Sequence, residues 1–174
     1  RAARYLGYEI IVQHRDDKLT NGRRSVNGAV ALRIPLDEIK AKRAPYRRHG
    51  KPWHRPALQN LDDYDIVATF GAEYRGIVAS YLLATDVWRL RDLRWHAETS
   101  MLKTLAAKHQ STVSKMAAKY QAKIETPYGL RTCFEARAHR DGKPDLVARF
   151  GGIPLLRDKG AVLRDRVPPP APHP

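Results

Sequence analysis

The sequence predicts an α+β fold in which a mainly helical bundle lies between an N-terminal and a C-terminal β-hairpin. The long stretch Leu61–Lys123 contains no proline and places apolar residues at helical spacing almost throughout. Two other stretches, Arg4–Ile34 and Leu130–Phe150, combine strand-forming residues with Asn-Gly or Asp-Gly turns. We therefore divide the chain into a hairpin at 1–34, a helical region at 35–125, a second hairpin at 126–156 and a disordered tail at 157–174.

The first hairpin is predicted from two strand-like runs separated by turn residues. Arg4–Gln13 is rich in β-branched and aromatic residues, and Ala29–Ile34 is predicted to be its partner. Between them, Asp16–Asn27 contains many turn-forming residues, including an Asn-Gly pair. Gly7 permits a bulge or a close backbone approach in the first strand.

The next element is predicted to be a short helix at Pro35–Ala44, since proline is tolerated in a first turn. The most basic segment overlaps its end and runs from Lys40 to Ala57. It carries seven lysines and arginines, no acidic residue, three prolines and the aromatic residues Tyr46 and Trp53. Because it has too many prolines for a helix and too many charges for a core, we expect it at the surface.

This basic segment has two functional interpretations. Arginine binds phosphate through paired hydrogen bonds and an aromatic ring stacks on an unpaired base, so the alternation of arginines with aromatics favours nucleic-acid contact. The alternative is a solvated linker that is merely basic. Trp53 alone is better explained as a packing anchor between elements than as a stacking platform.

Two helices are predicted within the long stretch. Its first half places apolar residues on one helical face, namely Ile66, Phe70, Ile77 and Tyr81. Asp62 and Asp63 stand where carboxylates cap a first turn and complement the helix dipole. Asp86 offers a second start, so the two helices should meet near Thr85.

The second half of the stretch presents an apolar flank beside a lysine flank, at about 100° per residue. The apolar flank consists of Leu102, Ala106, Val113, Ala117, Tyr120 and Ile124. The lysine flank consists of Lys108, Lys115, Lys119 and Lys123. Such a flank is either a solvated surface or a rail for phosphates, and the two interpretations are about even here. A break at 109–112, with Ser111 or Thr112 capping a new helix, would change the alignment of Lys108 with the later lysines.

The second hairpin is predicted from a turn at Thr126–Gly129 followed by two alternating runs. Leu130–Ala138 and Asp145–Phe150 alternate apolar and polar residues, and His139–Pro144 connects them through an Asp-Gly pair. Its arginines are best explained as the outward face of the hairpin, namely Arg131, Arg137 and Arg149.

The net charge of +14, with a pI of about 10.2, is the most unusual bulk property. A positive field of this size attracts polyanions, of which nucleic acid is the commonest in a cell. Residues 1–60 carry fourteen basic and five acidic residues, whereas 61–126 carry nine and eight and 127–174 carry nine and five. An anionic membrane is the rival partner, but no apolar run approaches about 20 residues and no signal peptide is visible.

Residues that usually mark an active site or a metal centre are missing from the sequence. Cys133 is the only cysteine, which excludes an intrachain disulfide and fits a reducing compartment. The histidines show no HExxH-type pairing, and the GxxxxGK[ST], GxGxxG and GxSxG motifs are absent. The pairs Asp16-Asp17 and Asp62-Asp63 are explained by turn and cap roles. Because the chain begins at Arg1 and ends in VPPPAPHP, we expect it to be a piece of a longer protein.

Four blocks, fairly specific in their order and spacing, are RYLGYEI (Arg4–Ile10), GKPWHRPAL (Gly50–Leu58), EYRGI with the later tyrosine (Glu73–Tyr81) and SMLKTLAAKH with the later STV and KY (Ser100–Tyr120). In this order they resemble the C-terminal part of group II intron reverse transcriptases, also called intron maturases. The first block is similar to the strand that closes the palm, with Tyr5 where phenylalanine is more usual. The second and third resemble the thumb, and the fourth resembles the maturase segment called domain X.

The resemblance implies a protein that binds its own intron RNA, stabilises the folded ribozyme for splicing and copies the RNA into DNA during retrohoming. It assigns 1–34 to the end of the palm, 35–125 to the thumb and domain X, and 126–156 to the maturase region. The metal-binding YADD signature of the family is absent, so this chain should not polymerise, and Mg²⁺ is expected only in the missing palm. Past Gly152 the chain lacks the histidine clusters of the optional HNH nuclease, so it should not cut DNA.

We therefore predict a maturase fragment, not itself an enzyme, that binds structured group II intron RNA and assists splicing in the bacterial cytosol. The predicted RNA-binding residues are Lys40, Lys42, Arg43, Tyr46, Arg47, Arg48, Lys51, Trp53, His54, Arg55, Arg75, Lys108, His109, Lys115 and Lys119. One alternative is the thumb of an RNA-directed DNA polymerase that holds an RNA/DNA primer-template or a DNA target. Another is a non-catalytic basic protein associated with the ribosome or another RNA. No membrane partner, no cofactor and no metal site are expected in this fragment.

Overall fold

The structure is a computed structural model that describes residues 2–14, 19–20, 22–24 and 28–158. The predicted turn segment Asp16–Asn27 is described only in part, and its Asp16-Asp17 pair lies outside the described residues. Of the predicted tail at 157–174, only the first two residues are described. Helices and two three-stranded sheets make up the described chain, which confirms the predicted α+β class.

The described residues form four α-helices: α1 (Leu36–Arg43), α2 (Asp63–Ser80), α3 (Leu90–Lys108) and α4 (Val113–Tyr120). Short 3₁₀ turns lie at Ala44–Tyr46, Pro56–Leu58 and Val87–Arg89. The strands are β1 (Ala3–Tyr5), β2 (Tyr8–Gln13), β3 (Leu19–Thr20), β4 (Arg23–Arg24), β5 (Ala29–Arg33), β6 (Arg47–Arg48), β7 (Lys51–Pro52), β8 (Gln121–Thr126), β9 (Gly129–Arg140) and β10 (Lys143–Gly151). The larger sheets have the antiparallel orders β1-β2-β5 and β10-β9-β8, and β3-β4 and β6-β7 are two-stranded.

Helix α2 is the centre of the core because its apolar face is buried between the β8–β10 sheet and α3. Ile66, Phe70 and Tyr74 on this face have no measurable exposure. The Tyr74 ring lies 5.3 Å from the ring of Phe150 on β10. A Cβ added at Gly71 would lie 2.2 Å from the Arg149 carbonyl oxygen, so glycine at this position allows the helix to approach the strand.

The N-terminal sheet is joined to the helices where the two long helices meet. The Thr85 amide donates to the Leu32 carbonyl at 2.8 Å, and the Ile34 amide donates to Asp86 Oδ1 at 3.0 Å. The predicted β2–β5 pairing is confirmed, and the structure adds β1 as a third strand. Gly7 makes neither a bulge nor a close approach to backbone: with φ +79° it forms the turn between β1 and β2.

Three predicted helix boundaries inside the helical region are confirmed. The junction of α2 and α3 includes Thr85, as predicted, although Asp86 bonds to the sheet and α3 itself begins at Leu90. The break after α3 is also confirmed, with Gln110 at φ +46°. The Thr112 side chain accepts a hydrogen bond from the Lys115 amide at 3.3 Å, so Thr112 caps α4.

One sequence expectation about an element boundary is wrong. Lys123 and Ile124 do not continue the helix, because Gln121–Thr126 alternates exposed and half-buried residues and pairs with β9 as β8. The predicted hairpin of Leu130–Ala138 and Asp145–Phe150 is confirmed as the β9–β10 pairing, to which β8 adds a third strand. The basic segment begins inside a helix, as predicted, since Lys40 and Lys42 lie on α1.

No helix in the described ranges combines the length and the apolar character needed to cross a bilayer.

Candidate nucleic-acid interface

Residues 47–53, called here the basic hairpin, form a small surface feature that docks on α3. His49 and Gly50 make its turn with φ +50° and +78°. Two side chains of α3 donate hydrogen bonds to the C-terminal end of this hairpin. Lys103 Nζ donates to the Pro52 carbonyl at 2.9 Å, and Ser100 Oγ donates to the Trp53 carbonyl at 2.5 Å. Because these bonds use backbone atoms of the hairpin, they leave its side chains available.

The basic hairpin and the end of α1 carry cations that no carboxylate of the described residues neutralises. Within the described chain, the basic side chains here without an ion pair are Lys40, Lys42, Arg47, Arg48 and Lys51. Arg47 donates instead to the Gly50 carbonyl, which stabilises the turn. The Arg48 guanidinium lies 5.5 Å from the centre of the Trp53 ring, and the His54 ring lies 5.0 Å from it. Trp53 is 39% exposed, so it packs on its neighbours and still presents part of its ring.

Three residues of the predicted set in this region are instead part of internal contacts. Arg43 forms an ion pair with Asp92 and joins α1 to α3. Arg55 donates to both carboxylate oxygens of Glu73 at 2.8 and 2.9 Å, and the Tyr46 hydroxyl donates to the same carboxylate at 2.8 Å.

The prediction that Tyr46 stacks on a base is wrong for this structure. Its side chain is only 2% exposed and its ring lies 5.7 Å from that of Phe70. Burial and then the hydrogen bond to Glu73 raise the pKa of Tyr46, so its phenol stays a donor at neutral pH. Tyr46 therefore fixes the position of the segment from beneath.

Lys108 and His109 do not belong to a lysine rail, because both are turned toward Asp63 at the start of α2. Lys108 Nζ lies 2.9 Å from the Asp63 carboxylate and donates to the Leu61 carbonyl at 2.7 Å. His109 Nε2 lies 2.8 and 2.9 Å from the two oxygens of Asp63. The Tyr120 hydroxyl of α4 donates to the same carboxylate. We call Asp63, Lys108, His109 and Tyr120 the Asp63 cluster.

The Asp63 cluster shifts the acid–base equilibrium of its central group. Burial alone raises the pKa of Asp63, but the hydrogen bonds from Tyr120, Lys108 and His109 outweigh burial and bring the pKa to about 2. Asp63 was expected to cap α2. Asp62 occupies the cap position without a side-chain cap bond, while Asp63 joins three helices.

The remaining predicted residues are exposed but lie on other elements. Lys115 and Lys119 are exposed on α4, and Lys119 Nζ lies 3.8 Å from the Asp63 carboxylate and 4.8 Å from the centre of the Tyr120 ring. Arg75 is exposed on α2. The neighbouring α2 residues Ala72 and Gly76 line a groove of about 720 Å³ together with Lys42 of α1.

Some candidate contact residues are absent from the predicted set. Trp88 and Arg91 are exposed at the start of α3, and Arg131 is exposed on β9. A signal for them exists in the sequence, since Val87–Trp95 (VWRLRDLRW) interleaves three arginines with two tryptophans. No group of three or more carboxylates, histidines or cysteines in the described part of the chain is arranged to hold a metal ion.

Comparison with known proteins identifies the family to which this sequence is similar. The family described as type II intron maturase matches residues 29–153. The group II intron-encoded protein LtrA of Lactococcus lactis subsp. cremoris is 36% identical over 124 residues, which cover 65% of this chain and 21% of the relative. The protein of the same name from strain MG1363 gives the same identity and coverage. The chain thus spans about a fifth of the length of these curated relatives.

Proposed function

This chain belongs to the type II intron maturase family, and on that basis we propose that it binds structured group II intron RNA and assists the splicing of that RNA. The name of the relatives, group II intron-encoded protein, is the reason for proposing the RNA of such an intron as the partner. The proposal concerns this chain, which matches about a fifth of the length of these relatives.

The observation that carries the proposal is the set of unpaired cations on the basic hairpin and α1. Arg48 and Lys51 are exposed without a carboxylate partner in the described ranges, and Trp53 presents part of its ring beside them. Cations that have no internal partner can neutralise phosphates without first breaking an ion pair. A ring beside them favours an unpaired base over a uniform duplex, because duplex bases keep their faces stacked.

The first experiment removes three charges from the basic hairpin by Arg47→Ala, Arg48→Ala and Lys51→Ala together. We expect weaker binding of intron RNA in a gel-shift titration. The slope of log affinity against log salt should fall by about 2 to 3, because each phosphate contact contributes about 0.7 to 0.9. Intron RNA should also bind more tightly than a random duplex of equal length.

The matched control removes three charges from the far hairpin by Arg137→Ala, Arg140→Ala and Lys143→Ala, all at exposed positions of β9 and β10. This control should keep most of the affinity. Equal losses in both triple variants would mean that net charge alone drives binding, and equal shallow binding to intron RNA and random duplex would remove the specific claim.

The second candidate function is the thumb of an RNA-directed DNA polymerase, and a feature of α2 favours it. Ala72, Gly76 and Ala79 are all exposed on this helix. A Cβ added at Gly76 would meet no atom within 4 Å, and its φ is not positive, so neither packing nor backbone conformation requires glycine there. A helix face with such small side chains allows close approach to the shallow minor groove of an A-form primer–template.

For polymerisation, we propose that the metal-binding aspartates and their Mg²⁺ belong to a part of the parent protein outside this chain. Primer extension by this chain alone should therefore fail, and activity there would contradict the proposal. We propose that the protein is located in the bacterial cytosol. The relatives come from a bacterium, and the free thiol of Cys133 suits a reducing compartment.

A further inference from the structure

A half-exposed tryptophan lies at the start of α3, away from the basic hairpin. Trp88 is 52% exposed, although its neighbours Val87 and Leu90 are buried. The guanidinium carbons of Arg89 and Arg91 lie 5.8 and 5.7 Å from the centre of its ring. Both arginines therefore lie beside an aromatic ring that is half exposed.

This ring lines a cavity whose other lining residues are both apolar and cationic. It has a volume of about 330 Å³ and is lined by Trp88, Arg91, Arg94, Arg131, Ile153, Leu155 and Leu156. A second cavity of about 310 Å³ shares Arg94, Arg131 and Ile153 and continues to Thr132 and Gly152. The lining thus combines apolar and aromatic residues with guanidinium groups from a helix and from a strand.

The guanidinium groups carry excess positive charge. Arg89 lies 3.3 Å from the Asp86 carboxylate and Arg94 lies 3.5 Å from that of Glu98. Arg91 and Arg131 have no carboxylate partner among residues 2–14, 19–20, 22–24 and 28–158, and no acidic side chain lines either cavity. An anion entering here would meet two unneutralised guanidiniums and no repelling carboxylate.

We propose that this pocket binds one unpaired nucleotide of an RNA strand, with the base stacked on Trp88 and the phosphate held by Arg91 and Arg131. The ligand needs both a flat apolar face and a negative charge, because a simple anion would leave the indole and leucine side chains unused. The nucleotide must be unpaired, since a duplex keeps the faces of its bases in the stack. This inference rests on the proposed RNA-binding function and adds to it a second contact on a different element.

The first test measures stacking directly through tryptophan fluorescence. In the full chain with Trp53→Phe and Trp95→Phe, Trp88 is the only tryptophan that remains. We expect an octameric oligouridine to quench its emission, because a stacked base lies against the indole. A blunt RNA duplex with the same number of phosphates and inorganic tripolyphosphate should quench it far less. Equal quenching by all three would mean a general anion site and would overturn the proposal.

The second test compares Trp88→Ala with Trp95→Ala in the otherwise native chain. Trp95 is a matched control because it lies nearby on α3 with 55% exposure, and its ring contacts His96 rather than an arginine. Trp88→Ala should weaken oligouridine binding about tenfold, the usual size of one stacking contact, while Trp88→Phe should retain most of the affinity. Arg91→Ala and Arg131→Ala should each reduce the salt slope by about one. Equal effects of Trp88→Ala and Trp95→Ala would overturn the proposal.

The same variants separate this inference from the proposed function. If intron RNA binds in a manner that depends on the basic hairpin while Trp88→Ala behaves as Trp95→Ala, only the nucleotide pocket is overturned. If the native chain binds neither intron RNA nor oligouridine, the proposed function is contradicted together with it.

Discussion

Asp63 is the residue whose contacts most constrain the arrangement of the helices. Its carboxylate, on the first turn of α2, accepts hydrogen bonds from Lys108 at the end of α3 and from Tyr120 at the end of α4. Three elements that are distant in sequence therefore meet at one group. Lys108 and His109, the last two residues of the TLAAKH block, thus hold the end of α3 against the start of α2.

The first prediction concerns the pH dependence of the Asp63 cluster. The pKa of Asp63 is about 2 in the folded protein, against an ordinary value of 3.8. Because the folded value is the lower one, the cluster stabilises fully above about pH 4 and loses this contribution as the pH falls toward 2. Asp63→Asn should lower the free energy of unfolding at pH 7 by about 1 to 2 kcal/mol, and the difference from the native chain should shrink at acid pH.

Urea unfolding at several pH values measures this difference. Asp62→Asn is the matched control, since Asp62 is the adjacent exposed carboxylate and makes no side-chain cap bond. A difference between Asp63→Asn and the native chain that stays constant from pH 7 to pH 3 would contradict the assigned pKa.

At the residue scale, sequence reasoning predicts exposure better than it predicts pairing. The exposure of Arg48 and Lys51 follows from local composition, because prolines and charges keep such a segment out of the core. The internal roles of Arg55 and Lys108 depend on Glu73 and Asp63, which are 18 and 45 positions away along the chain. Local spacing contains no information about such distant partners. From the sequence, Arg55 and Lys108 were therefore as compatible with RNA contact as with an internal ion pair.

At the element scale, α2 contains two glycines, of which packing requires one and not the other. Gly71 faces β10, where an added Cβ would lie 2.2 Å from the Arg149 carbonyl oxygen. Gly76 is exposed and an added Cβ there would meet nothing within 4 Å. The first glycine is required by packing, and the second lowers helix stability without any compensation inside the described chain.

The second prediction follows from this contrast. Gly71→Ala should destabilise the protein by about 1 to 3 kcal/mol, because either α2 or β10 must move. Gly76→Ala should instead stabilise it by up to about 1 kcal/mol, the difference in helix propensity. If α2 rests on a primer–template, Gly76→Ala should also weaken binding of an RNA/DNA duplex several-fold. Urea unfolding and a duplex titration measure the two effects, and unchanged duplex binding would remove the support that Gly76 gives to the thumb function.

The end of α4 shows why an element boundary was misplaced. Apolar spacing continues past Tyr120 to Ile124, so the helical pattern alone gives no stop. In the fold, Gln121–Thr126 pairs with β9 along its whole length, from Gln121 opposite Phe134 to Thr126 opposite Gly129. Pairing with a strand that follows in sequence outweighs a helical preference in a six-residue segment, and a short segment often fits both periods.

At the scale of the whole molecule, charge and core occupy different parts of the chain. Residues 61–126, which contain α2, α3 and α4, carry nine basic and eight acidic residues, whereas residues 1–60 carry fourteen and five. Many charges of the middle region are used in contacts such as the Asp63 cluster. Long-range attraction of a polyanion therefore comes mainly from residues 1–60. The order of the helices and strands was predictable for a different reason, since each element carries its own apolar spacing in the sequence.

The third prediction concerns the two proposed RNA contacts together. The basic hairpin docks at Ser100 of α3, and the nucleotide pocket begins at Trp88 in the 3₁₀ turn that leads into α3. The two residues are twelve positions apart, or about 18 Å at the helical rise. Sites at this distance without shared partners contribute independently to binding. For intron RNA, the hairpin triple variant combined with Trp88→Ala should therefore lose affinity by the product of the separate fold-changes. For oligouridine that occupies only the pocket, the triple variant should act through long-range charge alone and lose most of its effect at high salt. A combined variant no weaker on intron RNA than the triple variant would mean that the RNA uses one of these surfaces and not both.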